Sequence, residues 1–297
     1  MRDIEYEVIH RTVYEYGEPV TVSQSAARLR PQETGLQAVE DFVLEISPVP
    51  DRLTWRTDYF GNMMAVFSIR ELHTRMDVLA RSRVKVRSGV VHGMADSPRW
   101  EAVAARFRDP VAVQDAVPYE FCLESAMVRP DPMYAEWARE SFCVGRVFLE
   151  GVRDLMRRIH RDFRFDASAT DVATPLGEVW KQRRGVCQDF AHVMIACMRS
   201  MGLPARYVSG YLRTIPPPGQ ARLQGADASH AWVSVFCPVN GWVEFDPTND
   251  VIPADGHVRV AVGRDFSDVS PLNGVLTGGG DHIVRVEVDV IPMGGEG

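Results

Sequence analysis

Arg184-Gly185-Val186-Cys187-Gln188-Asp189-Phe190-Ala191-His192 is where a turn signal, a nucleophilic side chain and a strongly helical run meet. Upstream, Arg183, Arg184 and Gly185 break the preceding pattern. Downstream, Phe190 to Arg199 is apolar enough for a buried helix, ended by Gly202 and Pro204. Cys187 therefore falls at or next to a helix N-terminus. There the unpaired backbone N–H groups and the helix dipole favour the thiolate, the reactive form of cysteine. The plain alternative is a buried structural cysteine, and the company this residue keeps decides between the two.

That company lies further along the chain. Asp227-Ala228-Ser229-His230-Ala231-Trp232-Val233-Ser234-Val235-Phe236 starts polar and turns into an alternating β-branched and aromatic strand, with His230 at its beginning. Gly241 to Phe245 is a second strand, joined to the first by a Pro238-Val239-Asn240-Gly241 turn and closed by Asp246. Two antiparallel strands on a short turn lie side by side, so His230 and Asp246 come to the same end of the sheet. A helix packed on that sheet with its N-terminus at the same end brings Cys187 to His230. The product is a thiol, a general base and a carboxylate that orients the base.

The order Cys, His, Asp, with Gly-Val-Cys-Gln-Asp-Phe-Ala at 185–191, Gly-Leu-Pro-Ala-Arg-Tyr-Val-Ser-Gly-Tyr at 202–211, Ser-His-Ala-Trp at 229–232 and Phe-Asp-Pro-Thr at 245–248, resembles the transglutaminase-like superfamily of cysteine enzymes. The run Gly263 to Pro271 and the N-terminal β region resemble its bacterial branch. Residue by residue, the resemblance implies that Cys187 is the nucleophile, His230 the general base and Asp246 the orienter. It also implies a papain-like core. Animal members place a tryptophan indole upstream of the cysteine as an oxyanion donor. The comparable region here carries Phe163 and Phe165, which cannot donate, and Trp180 reads as core packing within the preceding helix.

Composition narrows the alternatives. The chain has 297 residues, 45% of them hydrophobic, enough for one large or two ordinary domains. Thirty-three basic against forty acidic residues give a net charge of −7, so there is no basic footprint for nucleic acid. The N-terminal Met1-Arg2-Asp3-Ile4-Glu5-Tyr6-Glu7 lacks the apolar core of a signal peptide, and no run reaches membrane-spanning length, which points to a cytoplasmic protein with no membrane partner. Five cysteines, at 122, 143, 187, 197 and 237, without Cys-x-x-Cys spacing fit reduced thiols. No calcium-loop pattern occurs, and no metal or other cofactor is expected.

From residue 4 to about 88 the signals are strands: Ile4, Tyr6 and Val8 in alternation, then 42–46, 53–59, 64–69 and 78–86. Short strands set apart by Gly, Pro and Asn suggest a β-sandwich. Residues 89–149 carry two short helical patterns, 98–108 and 132–142, punctuated by prolines. A helix from Glu150 to Phe163 presents Val152, Leu155, Met156 and Ile159 on one face. Thr174-Pro175 starts another, residues 205–212 form a strand, and Pro216-Pro217-Pro218-Gly219 marks an exposed loop. Strands at 258–262 and 282–290 follow, the second introduced by Gly278-Gly279-Gly280. The expected architecture is α+β. A transglutaminase-like catalytic domain over 150–297, its Cys-bearing helix on an antiparallel sheet, follows an N-terminal β-sandwich domain over 1–90 and a packed, partly helical linker over 91–149.

Around the triad, Gln188, Arg206, Tyr207, Tyr211 and Trp232 are candidate substrate-binding residues, although helix capping at 188 and core packing at 232 are the simpler readings there, and one buried strand face accounts for 206–211 equally well. Asp189 and His192 read as supporting residues behind the site. The expected chemistry is thiol-dependent acyl transfer on a peptide or protein amide through a thioester, with hydrolysis favoured over crosslinking because water needs no second-substrate site. Two other classes use the same residues. Cys187, His192, His230 and Asp246 are types that can hold zinc, but they lack paired short spacing; and a chain with an idle site would be a binding module.

Overall fold

The computed structural model describes residues 3–87, 93–110, 112–214 and 228–293. The spine of the N-terminal part is one very long strand, β1 (Asp3–Ala27), followed by β2 (Gln37–Ser47), β3 (Arg52–Thr57), β4 (Met63–Ile69) and β5 (His73–Arg87). Residues 23–27 of β1 pair with β4 and residues 3–20 with β5, in antiparallel register, so β4 and β5 run end to end along it. The register breaks between Glu15 and Val20, where Gly17 and Pro19 interrupt the alternation. The bent sheet closes on a core of Tyr16, Val20, Ala65, Phe67, Ile69, Met76 and Val78, against which Phe42, Leu44 and Ile46 of β2 pack. Period-two alternation of apolar residues is what places these side chains on one face.

The middle of the chain is helical: α1 (Trp100–Arg108), α2 (Ala116–Glu120), α3 (Pro132–Ala138) and α4 (Phe148–Asp162). Val152, Leu155, Met156 and Ile159 of α4 are buried, and Arg153 and Arg157 on its other face are exposed. The short strand β6 (Arg164–Phe165), helix α5 (Leu176–Gln182) and the short strand β7 (Arg184–Gly185) lead into α6 (Cys187–Ser200). Every residue of α6 from Phe190 to Met198 is buried, as an all-round apolar sequence requires. Gly202, at φ 72°, provides the left-handed turn after it.

Helix α6 lies on a four-stranded antiparallel sheet built from β8 (Ala205–Leu212), β9 (Ala228–Cys237), β10 (Gly241–Phe245) and β11 (His257–Gly263), in the order β10-β9-β8-β11. A short helix, α7 (Phe266–Val269), and strands β12 (Leu272–Gly278) and β13 (His282–Met293) complete the chain. This helix-on-antiparallel-sheet core, with a strand-rich N-terminal region, is the α+β, papain-like arrangement expected. One grouping differs from expectation. The last strands do not extend the catalytic sheet: β12 pairs with residues 20–27 of β1 and β13 with residues 5–16. Alternation had made 282–290 a strand without naming its partner, while 272–278 was not among the expected strands. The expected proline-rich loop at 216–219 and Asp227 lie outside the described residues.

Two amide side chains join the two sheets. Strand β11 is an edge, with backbone groups open to pairing. Gln37 donates from Nε2 to the Arg259 carbonyl at 2.7 Å and accepts the Arg259 N–H at 2.8 Å. Asn62 does the same to Val262, donating and accepting at 2.9 Å. The N-terminal sheet thus satisfies the edge through side chains rather than by adding a strand.

Candidate active site

Cys187 is the first residue of α6, after an extended Val186. Its backbone N–H is one of those with no acceptor inside the helix. The turn is held by Asp189, whose Oδ2 accepts the Val186 N–H at 2.8 Å and the Thr170 hydroxyl at 2.6 Å. Gly185 is required here, because a Cβ would run into the Asp189 carboxylate. Asp189 therefore caps the helix that presents the sulfur, which is itself half-buried.

The hairpin performs as its sequence implies. Phe245 pairs with Val233, which sets Asp246 beside the start of β9. His230 Nε2 donates to Asp246 Oδ2 at 2.7 Å. Cys187 is the other side chain that hydrogen-bonds this imidazole. Burial alone would pull the His230 ring toward its neutral form. The hydrogen bonds to Asp246 and Cys187, with the negative charge those partners can carry, outweigh burial and push the imidazole up to about 10.

Asp246 is fully buried. Burial works to raise its carboxyl, but donors from His230, His257 and Asn249 prevail and hold it well below the usual carboxylate range. His257 Nε2 reaches the same Oδ2 at 3.1 Å and Asn249 Nδ2 at 2.7 Å; the backbone N–H groups of Thr248 and Asn249 take Oδ1 at 3.0 and 3.3 Å. An ionised carboxylate surrounded by donors fixes both imidazoles with Nε2 protonated. His257 was not anticipated. It opens β11 just after the Ala254-Asp255-Gly256 turn, a position matching that of His230 on β9, and that parallel was the available signal.

The other predicted residues divide by strand face. Tyr207 is buried against His192, ring centroids 5.1 Å apart, and the charge of Cys187 contributes to raising its phenol, after burial. Tyr211 is also buried, but its ring lies on His10 of the N-terminal sheet, 5.6 Å away, and so cannot serve a substrate at the thiol. Arg206 lies on the opposite face, stacked on Trp242. Trp232 is 0% exposed and offers no surface to substrate. It stacks on His230 at 5.9 Å and donates from Nε1 to Glu244 at 2.9 Å, so it props the imidazole. Gln188 donates to the Val172 carbonyl at 3.3 Å. His192 is buried and pulled down to about 4 by burial, and it accepts the Phe266 N–H at 3.2 Å. Phe163 is packed between Trp180 and Phe190, while Phe165 is exposed.

The four-residue metal grouping of Cys187, His192, His230 and Asp246 is therefore not assembled among the described residues. The set that does converge is His230, Asp246 and His257, with ligand atoms within 4.8 Å of one another. Two of its contacts, at 2.7 and 3.1 Å, are hydrogen-bond distances. A cleft of about 430 Å³ runs along the first turn of α6, where Asp189 and His192 meet Met127, Asp131, Tyr134 and Leu176. None of the described helices is long and apolar enough to cross a membrane.

Comparison with known proteins agrees with this architecture. Residues 6–85 match the bacterial transglutaminase-like N-terminal region and residues 145–247 the transglutaminase-like superfamily. An uncharacterized protein of Mycobacterium tuberculosis is 38% identical over 301 residues, covering 98% of this chain and 94% of that one. A local stretch of 72 residues is 39% identical to a protein-glutamine gamma-glutamyltransferase of Pseudomonas aeruginosa, covering 24% of this chain and 11% of the other. In fold, the chain is similar to the crystal structure of "a Putative Cysteine Protease from Cytophaga hutchinsonii", with a TM-score of 0.78 at 19% identity, covering 100% of this chain and 93% of that one. With its N-terminal region and its core both matched, the chain belongs to the transglutaminase-like superfamily.

Proposed function

We propose that this protein is a thiol-dependent amidase or peptidase in which Cys187, His230 and Asp246 act as nucleophile, general acid–base and orienting carboxylate. The observation that supports the reading is the contact chain from sulfur to imidazole to carboxylate, with His230 hydrogen-bonded to Cys187 on one side and tied to Asp246 through Nε2 on the other. Cys187 passes its thiol proton to the His230 imidazole, and its sulfur attacks the amide carbonyl carbon to form a tetrahedral intermediate. Its oxyanion meets the free Cys187 backbone N–H at the helix start. His230 then gives its proton to the leaving amine, the C–N bond breaks and a thioester remains. Water, deprotonated by the same imidazole, opens the thioester to a carboxylic acid and returns the thiol. Asp246 stays ionised throughout and stabilises the imidazolium.

The substrate is a peptide or protein amide. Hydrolysis leads because it needs only water as acceptor. Amine transfer is the second reading, favoured by the local similarity to the Pseudomonas aeruginosa protein-glutamine gamma-glutamyltransferase. Incubation of wild type and Cys187→Ala with a peptide library, with and without a primary amine, decides between them by product mass. Cleaved peptides in wild type alone support hydrolysis. Amine adducts in place of acids favour transfer, and equal turnover by Cys187→Ala overturns both.

A further inference from the structure

On the sheet face that carries His230, a second cleft opens between the N-terminal sheet and the β9–β10 hairpin. Its volume is about 510 Å³, and the described lining includes Leu36, Trp242, Ile252, Arg206 and Arg259. That size suits one small molecule. The thiol lies outside the cleft: Cys187 and His230 are not among its walls, whereas His257, which hydrogen-bonds Asp246, is one of them.

Its charge balance is incomplete. Strand register aligns Arg206, Ser234 and Glu244 across β8, β9 and β10. Glu244 is the carboxylate of this cleft, and both its oxygens are taken, Oε1 by Arg259 at 2.8 Å and Oε2 by the Trp232 indole at 2.9 Å. Arg206 is left over. Its guanidinium lies over the Trp242 ring, 4.0 Å from the centroid, and makes no hydrogen bond or ion pair to any described residue. Its Nε is sealed from solvent with no partner, and so is the Nε of Arg259. Arg87, which also lines the cleft, is already paired with Asp3 at 3.3 Å. Leaving a guanidinium desolvated and unpaired is costly, and proteins do so where a ligand completes the pairing.

We propose that this cleft is a binding site for a small organic carboxylate, its carboxylate forked by Arg206 and its apolar body lying along Trp242, Ile252 and Leu36. A planar guanidinium matches a carboxylate bidentately, and one uncompensated positive charge calls for a single negative one. Burial, followed by repulsion from Arg259, pulls Arg206 down to about 9, a strain that a bound anion relieves. The assignment stands apart from the catalytic reading, because it uses neither the thiol nor its base.

Isothermal titration of the full chain with benzoate tests it, with benzamide as the neutral isostere and inorganic phosphate as the non-carboxylate anion. Saturable one-to-one benzoate binding, absent with benzamide, is expected in wild type and in Cys187→Ala. Arg206→Met is expected to weaken it at least tenfold, and Arg206→Lys, which keeps the charge without the fork, to weaken it less. Thermal unfolding of each variant confirms that it is folded, and Arg206→Lys carries the test if Arg206→Met is not. No benzoate binding, binding unchanged by both Arg206 variants, phosphate bound in preference to benzoate, or binding lost in Cys187→Ala would each overturn the proposal.

Discussion

His230 and His257 place their Nε2 atoms on the same oxygen of Asp246, at 2.7 and 3.1 Å. One buried carboxylate thus anchors two imidazoles, and of the two His230 is the one that hydrogen-bonds Cys187. Trp232 lies between them, stacked on His230 and edge-on to His257 with centroids 5.2 Å apart. In the proposed mechanism, His257 and Trp232 hold Asp246 and His230 in place without meeting substrate. Replacement of Asp246 by Asn removes the anion that stabilises the imidazolium, and turnover of a cleavable peptide should fall about 10³- to 10⁴-fold. His257→Gln keeps a donor to Asp246 and should cost about tenfold or less, mostly in kcat. Steady-state kinetics on the two variants test the order: a larger loss in His257→Gln than in Asp246→Asn would reverse the assigned roles.

The pH profile should report the His230 imidazolium. Its ordinary value is 6.5, and its partners push it up to about 10. A group raised on folding contributes stability that is complete below its unfolded value and lost as pH rises through the folded one. Activity that needs the His230 proton should accordingly persist through neutral pH and decline on an alkaline limb near 10. In Asp246→Asn that limb should move down by about 1 to 3 units. For Asp246, depressed from 3.8, the sign is opposite: its contribution is present above 3.8 and lost as pH falls toward its folded value. A pH–rate series on both proteins checks the alkaline limb, and acid unfolding of the wild type checks the other end.

At the far end of α6, Arg199 is buried and donates to four groups: the carbonyls of Phe121, Ala205 and Arg264, and the Ser125 hydroxyl, at 2.6–3.3 Å. It ties the helix C-terminus to β8 and to the segments before α3 and α7. Arg199→Met removes all these donors and leaves buried carbonyls unsatisfied, so it should lower stability by about 2–4 kcal/mol. Urea unfolding measures this, and a loss under 1 kcal/mol would mean that water replaces the guanidinium.

The joint between the sheets is equally open to measurement. Asn62→Leu leaves the N–H and carbonyl of Val262 without the partners described above. A cost of about 1–3 kcal/mol is expected, together with faster hydrogen exchange at Val262. Gln37→Leu should leave the Arg259 N–H without its partner, while the Arg259 carbonyl keeps the Gln32 N–H at 3.0 Å. Unchanged exchange in both variants would show that the edge is protected in another way.

What the sequence revealed and what it withheld follow the range of the forces involved. Cys187 at a helix start and the His230–Asp246 hairpin are local, set by capping, alternation and a short turn, and all three were readable. Partner choice over long range was not. Residues 282–290 alternate as any strand does, and nothing in that pattern says that the partner is residues 5–16 of the same chain. The role of His257 depends on β11 flanking β8, with two strands between it and β10, which Asp246 closes, and no local pattern states that order. Arg206, Tyr207 and Tyr211 looked alike along one strand. Alternation sends Arg206 to one face, and the packing of the N-terminal sheet then claims Tyr211 through His10.

The most direct test of the proposed active site is the alkylation rate of Cys187 measured against Cys143 in the same molecule. Cys143 is exposed and serves as the internal standard, while burial pushes Cys122 and Cys197 up to about 12 and keeps them slow. With limiting iodoacetamide at neutral pH and peptide mass mapping, wild type should label Cys187 at least about tenfold faster than Cys143. His230→Ala should bring the two rates together. Equal rates in wild type, or a Cys187 advantage untouched by His230→Ala, would contradict an activated thiol at this site.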